Sequence, residues 1–434
     1  MNDEADDLSG PFGFEVDPRR AEVIGEIHAR PFLLFEAPRT VVHLAFLTSA
    51  AAAQRDRDRM SRLCLAQGVS GPGPAARHFV LDYLGGRLRW EQHAEFTTYT
   101  FDAPSAAFAE ENGLPFGREV AAPGPLISAC RVDLRLGSRT DPPPLDGFDP
   151  TSLCVSRAMG GAATIVTDFR QDADGLTRIR IVDHELKGAQ MGALVQRLLE
   201  IETYRTLALL GLPEARRLTP AVSEVEHGLA EVTEAMRSSS GLSGNSRLLD
   251  QLSGLAARLE ADAAASAFRF GASHAYHDIV HDRLASLREE TVEAYSTWAG
   301  FLSRRLAPAL RTCTSVEERQ EKVSTKLTRA TQSLRTRVDL ELEQINRALL
   351  TSMNRRAKMQ LRLQQTVEGL SVAAISYYVL GLIGYLADGA SEAGLPFDPA
   401  IAKAVSVVVV VAVVALLVRR VARRHSDPGG DEDD

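Results

Sequence analysis

Cysteine is scarce in this chain. The four residues Cys64, Cys130, Cys154 and Cys313 show no C-x-x-C spacing, which argues against a disulfide framework or a zinc site and fits a reducing compartment. Charge of one sign is also missing. There are 57 acidic and 49 basic residues. Four acids in the first ten residues and five in the last ten, with no Lys or Arg at either end, turn the net charge of −8 into +1 for the remainder. No basic field recommends nucleic acid as a partner. The sequence contains no G-x-x-x-x-G-K-[ST], dinucleotide fingerprint, H-E-x-x-H or G-x-S-x-G, so nucleotide hydrolysis, zinc proteolysis and esterase chemistry lack their usual signatures, and no enzyme is expected. The N-terminal MNDEADDLSG is acidic where a signal peptide needs a basic segment and an apolar run. Most telling, no proline stands between Pro308 and Pro396 and no glycine between Gly300 and Gly369, so nothing intrinsic breaks a helix there.

What is present is an ordinary mixed composition. Among 434 residues, 45% are hydrophobic and 24% charged, with 32 Gly and 20 Pro. That excludes a largely disordered or collagen-like chain and leads us to expect two or three structural units. After an acidic flexible tail, 1–15, β-rich runs dominate to His184. They are TVVHLAFL, RHFVLDYL, GRLRWEQHAEFTTYTF, LISACRVDLRL, SLCVSRAM, GAATIVTDF and LTRIRIVDH, punctuated by GPGP, DPPPLDGFDP and QDADG. SAAAAQRDRDRMSRLCLAQG reads as a helix between the first two strands, so residues 16–184 are expected to form an α+β domain.

From Glu185 the pattern turns helical and is not expected to turn back. A first helix exits at Gly211-Leu212-Pro213, a second runs to about Arg237, SSSGLSGNS is a flexible connector, and Arg247 to Pro308 resumes as one or two long helices. This makes 185–310 a helical domain. Residues 311–368 read as a long coiled-coil-like stalk, because Val323, Leu327, Ala330, Leu334, Val338, Ile345, Leu349, Met353, Leu363, Val367 and Leu370 recur mostly every three or four residues among polar ones. The stalk would extend on the order of 80 Å at ~1.5 Å per residue.

Gly369 to Ala387 holds 19 residues without a charge, close to the ~20 that cross a hydrocarbon core of roughly 30 Å. Residues 388–400 form a short acidic connector, and 401–418 a second apolar segment whose only charge, Lys403, can snorkel. Together they suggest a C-terminal two-helix transmembrane hairpin. Arg355, Arg356, Lys358 and Arg362 precede it, and Arg419, Arg420, Arg423 and Arg424 follow it in the tail 419–434. By the positive-inside tendency both termini are cytoplasmic in a multi-pass inner-membrane protein, and the basic flanks meet anionic lipid.

The strings EIHARPF, VVHLAFL, WEQHAEFTTYTF, ETYRTLALLGLPEAR, FRFGASHAY and QLRLQQTVEGLSVAAISYYVLGLIGYLADG resemble, over nearly the whole length, a bacterial family of uncharacterised membrane-anchored proteins with a domain of unknown function. The resemblance implies membrane attachment and supports the topology, and brings no reaction, ligand or catalytic residue with it. The architecture is also similar to CorA-type magnesium channels, an analogy of fold alone. The Gly-Met-Asn motif that analogy implies after the first span is replaced here by Tyr385-Leu386-Ala387-Asp388-Gly389.

No cofactor is evident from the sequence, and a divalent cation is the one ligand its clusters suggest. His274, His277 and His281 fall at i, i+3 and i+7 beside Asp278 and could surround a metal, or could simply lie on a solvated helix face. Strand alternation places Glu91, His93 and Glu95 on one face, either as a cation or proton site or as the solvent face of a sheet. His28 and Arg30 are a weaker pair beside Pro31. In the first span Tyr378, Gly381, Gly384 and Tyr385 suit close helix packing or a pore lining, with Asp388 at its mouth. Self-association through the stalk and first span is expected. Two functions remain open, CorA-like cation transport and a membrane-anchored scaffold or sensor whose cytoplasmic domain binds a partner.

Overall fold

The computed structural model describes residues 16–17, 19–20, 23–24, 34–74, 76–108, 120–392 and 398–425. The acidic tail 1–15, the pair His28 and Arg30, and residues 426–434 lie outside them. The chain divides into two compact units, Met1–Ala235 with Asp250–Thr331, and Met236–Leu249 with Gln332–Asp434.

The first unit carries the α+β body. Strands β1 (Arg39–Leu47), β2 (His78–Tyr83), β3 (Gly86–Gln92), β4 (Phe96–Pro104), β5 (Leu126–Leu136), β6 (Cys154–Ala158), β7 (Ala163–Gln171), β8 (Thr177–Asp183) and β9 (Glu290–Thr291) form one sheet, ordered β2-β3-β4-β1-β5-β8-β7-β6-β9. Neighbours are antiparallel except β5 and β8. Their parallel pairing is reached through the intervening β6–β7 hairpin, as a parallel pair needs a crossover rather than a tight turn.

Helix α1 (Ala50–Ala66) begins at Ser49, whose Oγ accepts the Ala52 N–H at 3.3 Å. It buries Ala53, Asp56, Met60 and Cys64, spaced three and four apart, against one sheet face. Alternate residues of the strands supply that face, among them Val42, Leu44, Leu88, Trp90, Tyr99 and Phe101. The second face packs against α2 (Gly188–Ala208), whose Met191, Leu194, Val195 and Leu198 meet Val132, Leu134, Ile179 and Ile181. This second face is apolar on β5 and β8, but on β1, β3 and β4 it carries His43, Arg89, Glu91, Thr98, Thr100 and Asp102. That change of character positions the site below.

Three expectations are corrected. Gly86 to Phe101 is not one strand, because it folds back at 93–95 into β3 and β4, with the His93 N–H donating to the Phe96 carbonyl at 2.8 Å. The helical pattern after Glu185 does change back, since β9 adds an edge to β6 through Arg157↔Glu290 and Ser156↔Thr291. SSSGLSGNS is mostly helical, falling at the end of α3 (Gly211–Ser238) and the start of α4 (Leu242–Ser286). Its polar groups close the junction, with Ser239 Oγ donating to Asn245 Oδ1 and Asn245 Nδ2 to Glu341 Oε1, both at 2.9 Å.

Helix α5 runs from Trp298 to Glu392, 95 residues, with Pro308 inside it. Its start is fixed by Glu289, whose carboxylate oxygens accept the Trp298 and Ala299 N–H groups at 2.9 Å each. Val316, Val323, Leu327 and Leu334 on it are buried, whereas Ile345, Leu349, Met353, Leu363 and Val367 are exposed. The helix contains a stretch long and apolar enough to cross a membrane. Helix α6 (Pro399–His425) follows, and its apolar part, Lys403–Val418, is shorter.

Candidate functional site

On the second sheet face, β1 and β4 are in register with His43 opposite Thr100, and the His43 ring is clamped between two hydroxyls. Nδ1 lies 2.8 Å from Thr100 Oγ1 and Nε2 lies 3.0 Å from Thr203 Oγ1 on α2. One nitrogen donates and the other accepts, so the arrangement suits a neutral imidazole. Burial, with the Arg89 charge adding to it, pushes the His43 pKa down to about 3.

Arg89 Nη2 donates to Glu91 Oε1 at 2.7 Å, and both side chains are largely covered. At the outer end of the same face Asp102, fully buried, takes Arg87 Nη2 at 3.1 Å and the Nε of Arg39 on one carboxylate oxygen. These charges are paired and structural. Between them lies a narrow cleft of about 590 Å³ including its open mouth, lined by Phe35, Val195 and Leu199 as well as the polar groups. Thr98 Oγ1 and Gln196 Oε1 border it, buried and without a hydrogen-bond partner. The Gln196 amide nitrogen is committed to Glu200 Oε1 at 2.9 Å, and Glu200 is further held by the Nε of Arg283.

A second, wider hollow shares His93, Phe96 and Tyr204 with the first and adds Arg57, Arg77, Gln92 and Tyr276. Its waist is aromatic. The His93 and Phe96 rings stack at 4.1 Å, and Phe96 meets Tyr204 edge-on at 5.8 Å.

The structure separates the residues singled out as Glu91, His93 and Glu95. Glu91 is buried on β3 against Arg89, so it is not on a solvent face. His93 belongs to the turn, and Glu95 binds Arg269 at 2.5 Å and accepts the Tyr276 hydroxyl at 2.7 Å. The break between β3 and β4 dissolves the alternation that had aligned them. His274, His277 and His281 do lie on one helix, but their rings are not gathered around one point. His274 Nε2 instead meets Glu317 Oε2 at 2.8 Å, and His277 Nδ1 lies 3.6 Å from Asp278. Among the described residues no group of three or more His, Cys, Asp or Glu is arranged to hold a metal.

In the second unit Tyr378 and Tyr385 are 76% and 82% exposed, and Gly381 faces open space. A Cβ on Gly384 would lie 3.6 Å from Lys403 Cε, which marks an approach of α5 and α6. Lys403 Nζ donates to both carboxylate oxygens of Asp388, at 2.6 and 2.7 Å. Arg355, Arg356, Lys358, Arg362 and Arg420 are exposed, while Arg419, Arg423 and Arg424 are described only as part of α6.

Sequence reasoning missed the cleft residues His43, Thr98, Thr100, Gln196 and Thr203. The available signal was a histidine and two threonines at positions of TVVHLAFL and FTTYTF where alternation calls for apolar side chains. The profile of a family described as protein of unknown function (DUF3422) matches residues 15–425. No curated protein and no solved structure matches the chain.

Proposed function

We propose that this chain, which belongs to the DUF3422 family of proteins of unknown function, is a membrane-anchored sensor whose α+β domain binds a ligand on the cytoplasmic side. The observation that carries the anchor is the apolar end of α5. Tyr377, Tyr378, Leu382, Tyr385 and Leu386 are 67–82% exposed on a segment long enough to span a bilayer, and so large an apolar surface calls for lipid or protein cover. The Asp388–Lys403 pairing supports α6 as the returning span, because Lys403 reaches a carboxylate at the far end of α5.

The same ion pair weighs against CorA-like cation transport. A ring of Asp388 carboxylates would concentrate cations only if their charge were free, and Lys403 neutralises each one. The anchor reading needs no such ring. Self-association follows from the exposed residues Ile345, Leu349, Leu363 and Val367 on α5, which keep an approximate heptad spacing and would be covered by the same helix of a second copy.

Alkaline carbonate extraction of cell membranes tests the anchor, combined with labelling of single cysteines in intact cells. The protein stays in the membrane pellet, Glu392→Cys is labelled from outside, and a cysteine added at the C-terminus is protected. Release by carbonate overturns the anchor, and an inaccessible Glu392→Cys with an accessible C-terminus overturns the topology.

A further inference from the structure

Arg180 on β8 is the most buried arginine among the described residues, 8% exposed, and it meets only neutral groups. Its Nη1 donates to the Pro144 carbonyl at 2.6 Å and its Nη2 to the Asp146 carbonyl at 3.4 Å, while its Nε is buried without a partner. Asp133 stands opposite it on β5, but that carboxylate accepts Arg131 Nε at 2.9 Å and Thr40 Oγ1 at 3.0 Å and forms no ion pair with Arg180. Covered charges elsewhere in the α+β body meet an opposite charge, Arg89 with Glu91, Arg205 with Glu202, and Asp102 with Arg39 and Arg87. A buried cation without an anion is unfavourable, and Arg180 departs from that pairing.

Two further arginines on the same sheet face share its condition. Ile179 and Ile181 point into the core under α2, so alternation places Arg178 and Arg180 on the opposite face. There both guanidinium carbons lie over the one Phe148 ring, at 5.3 and 5.0 Å. Arg178 donates to the Gly147 carbonyl. Arg135 on β5 is exposed and makes no hydrogen bond or ion pair. In the parallel β5–β8 register it faces Val182, two places beyond Arg180, which sets the Arg135 and Arg180 Cα atoms about 8 Å apart. Long side chains at that spacing can close on one oxyanion. Among the described residues no carboxylate forms an ion pair with Arg135, Arg178 or Arg180. Burial lowers the Arg180 pKa, the charges of Arg135 and Arg178 lower it further, and Asp133 and Asp146 offset this only in part.

We infer that this face of β5 and β8 binds a phosphate group, free or at the end of a small molecule, with Arg135 as the exposed donor and the Arg178–Arg180 pair as the fixed positive charge. Phosphate is favoured over carboxylate by the charge to be met. Three guanidiniums lack a carboxylate, a dianion balances two of them where a carboxylate balances one, and its tetrahedral oxygens accept forked donors from both strands. The carbonyls of Pro144, Asp146 and Gly147 hold Arg178 and Arg180 in place without neutralising them. The inference rests on reading the α+β body as a ligand-binding module, and its site lies on the sheet face opposite the His43 cleft.

The test uses full-length protein in maltoside micelles, which contain no phosphate, at constant ionic strength and about pH 8, where a phosphate monoester is a dianion. Phosphorus NMR follows binding of inorganic phosphate and glycerol 3-phosphate, and urea unfolding read by tryptophan fluorescence compares both with acetate and chloride. At least one phosphate probe binds saturably and raises the unfolding midpoint, as a ligand of the folded state must, and the tighter of the two tells a free phosphate from an esterified one. Acetate binds at least about tenfold more weakly. Arg135→Gln, at an exposed position without partners, weakens phosphate binding at least about tenfold and leaves the midpoint in chloride unchanged. Arg180→Met removes the buried charge and abolishes the stabilisation by phosphate. A role confined to pinning the loop under Phe148 would show no phosphate dependence at all. No saturable binding of either probe, acetate equal to phosphate, or binding indifferent to Arg135→Gln overturns the inference. Carbonate extraction of both variants stays unchanged, so failure here is distinguishable from failure of the anchor.

Discussion

Acidification tests the clamp on His43. The side chain is 5% exposed, and its folded pKa of about 3 lies below the ordinary 6.5. A depressed folded value means that the unfolded chain takes up a proton the folded one refuses, so stability is full above pH 6.5 and falls as the pH drops toward 3. With these two values, lowering the pH from 7 to 5 costs about 2 kcal/mol. Both tryptophans, Trp90 and Trp298, are fully buried in the α+β body, so their fluorescence during urea unfolding reports the relevant transition.

His43→Gln keeps a donor and an acceptor between the two threonines and removes the titration. Between pH 7 and 5 the wild type is expected to lose about 2 kcal/mol more than this variant. The folded-state titration of the imidazole, followed by nitrogen NMR, should show no inflection for His43 above pH 5. An inflection near 6.5, or identical pH slopes for the two proteins, would refute the argument that burial between Thr100 and Thr203 holds the ring neutral.

Asp102→Asn leaves the guanidinium groups of Arg39 and Arg87 beside a neutral side chain at a fully buried position; unfolding in urea should show a loss of about 3 to 5 kcal/mol, and a loss under 1 kcal/mol would mean that water replaces the carboxylate. Ile345→Asp with Leu349→Asp places charges on residues that are 52% and 57% exposed in the single chain, so it should leave the fold intact while shifting the detergent-solubilised protein toward monomer in light-scattering chromatography. An unchanged mass would remove the case for helix pairing through α5.

Absence was the most legible feature. With no proline between Pro308 and Pro396 and no glycine between Gly300 and Gly369, the middle of α5 was predictable as one helix, whereas its passage through Pro308 and its extension past Ala387 to Glu392 were not, and the β-rich run TVVHLAFL marked β1. The β3–β4 turn was hidden because His93-Ala94-Glu95 has no Gly, Pro, Asn or Asp. The turn is closed by one backbone hydrogen bond and the His93–Phe96 stack, both set by tertiary packing rather than by local propensity. β9 has two residues, too few for any periodicity. The cleft was illegible for a different reason. His43, Thr98 and Gln196 stand on three elements widely separated in sequence, and only the β1–β4 register and the seating of α2 bring them together.

The polar stripe on β1, β3 and β4 can be divided by what each group has to bond with. Where a charge is fully buried, as at Asp102, two arginines meet it, and such an arrangement specifies the packing of that face without inviting a ligand. His43 is likewise complete. The pattern fails at Thr98 and Gln196, within one cleft and beside an aromatic waist that leads to Arg57. An apolar pair at those positions would have continued the core already built under α2 by Leu194, Val195 and Leu198 and would have avoided the desolvation cost of two unpaired oxygens. Thr98 on the sheet and Gln196 on α2 are therefore the places where this otherwise consistent packing is locally violated, and such violations are expected where function outweighs stability.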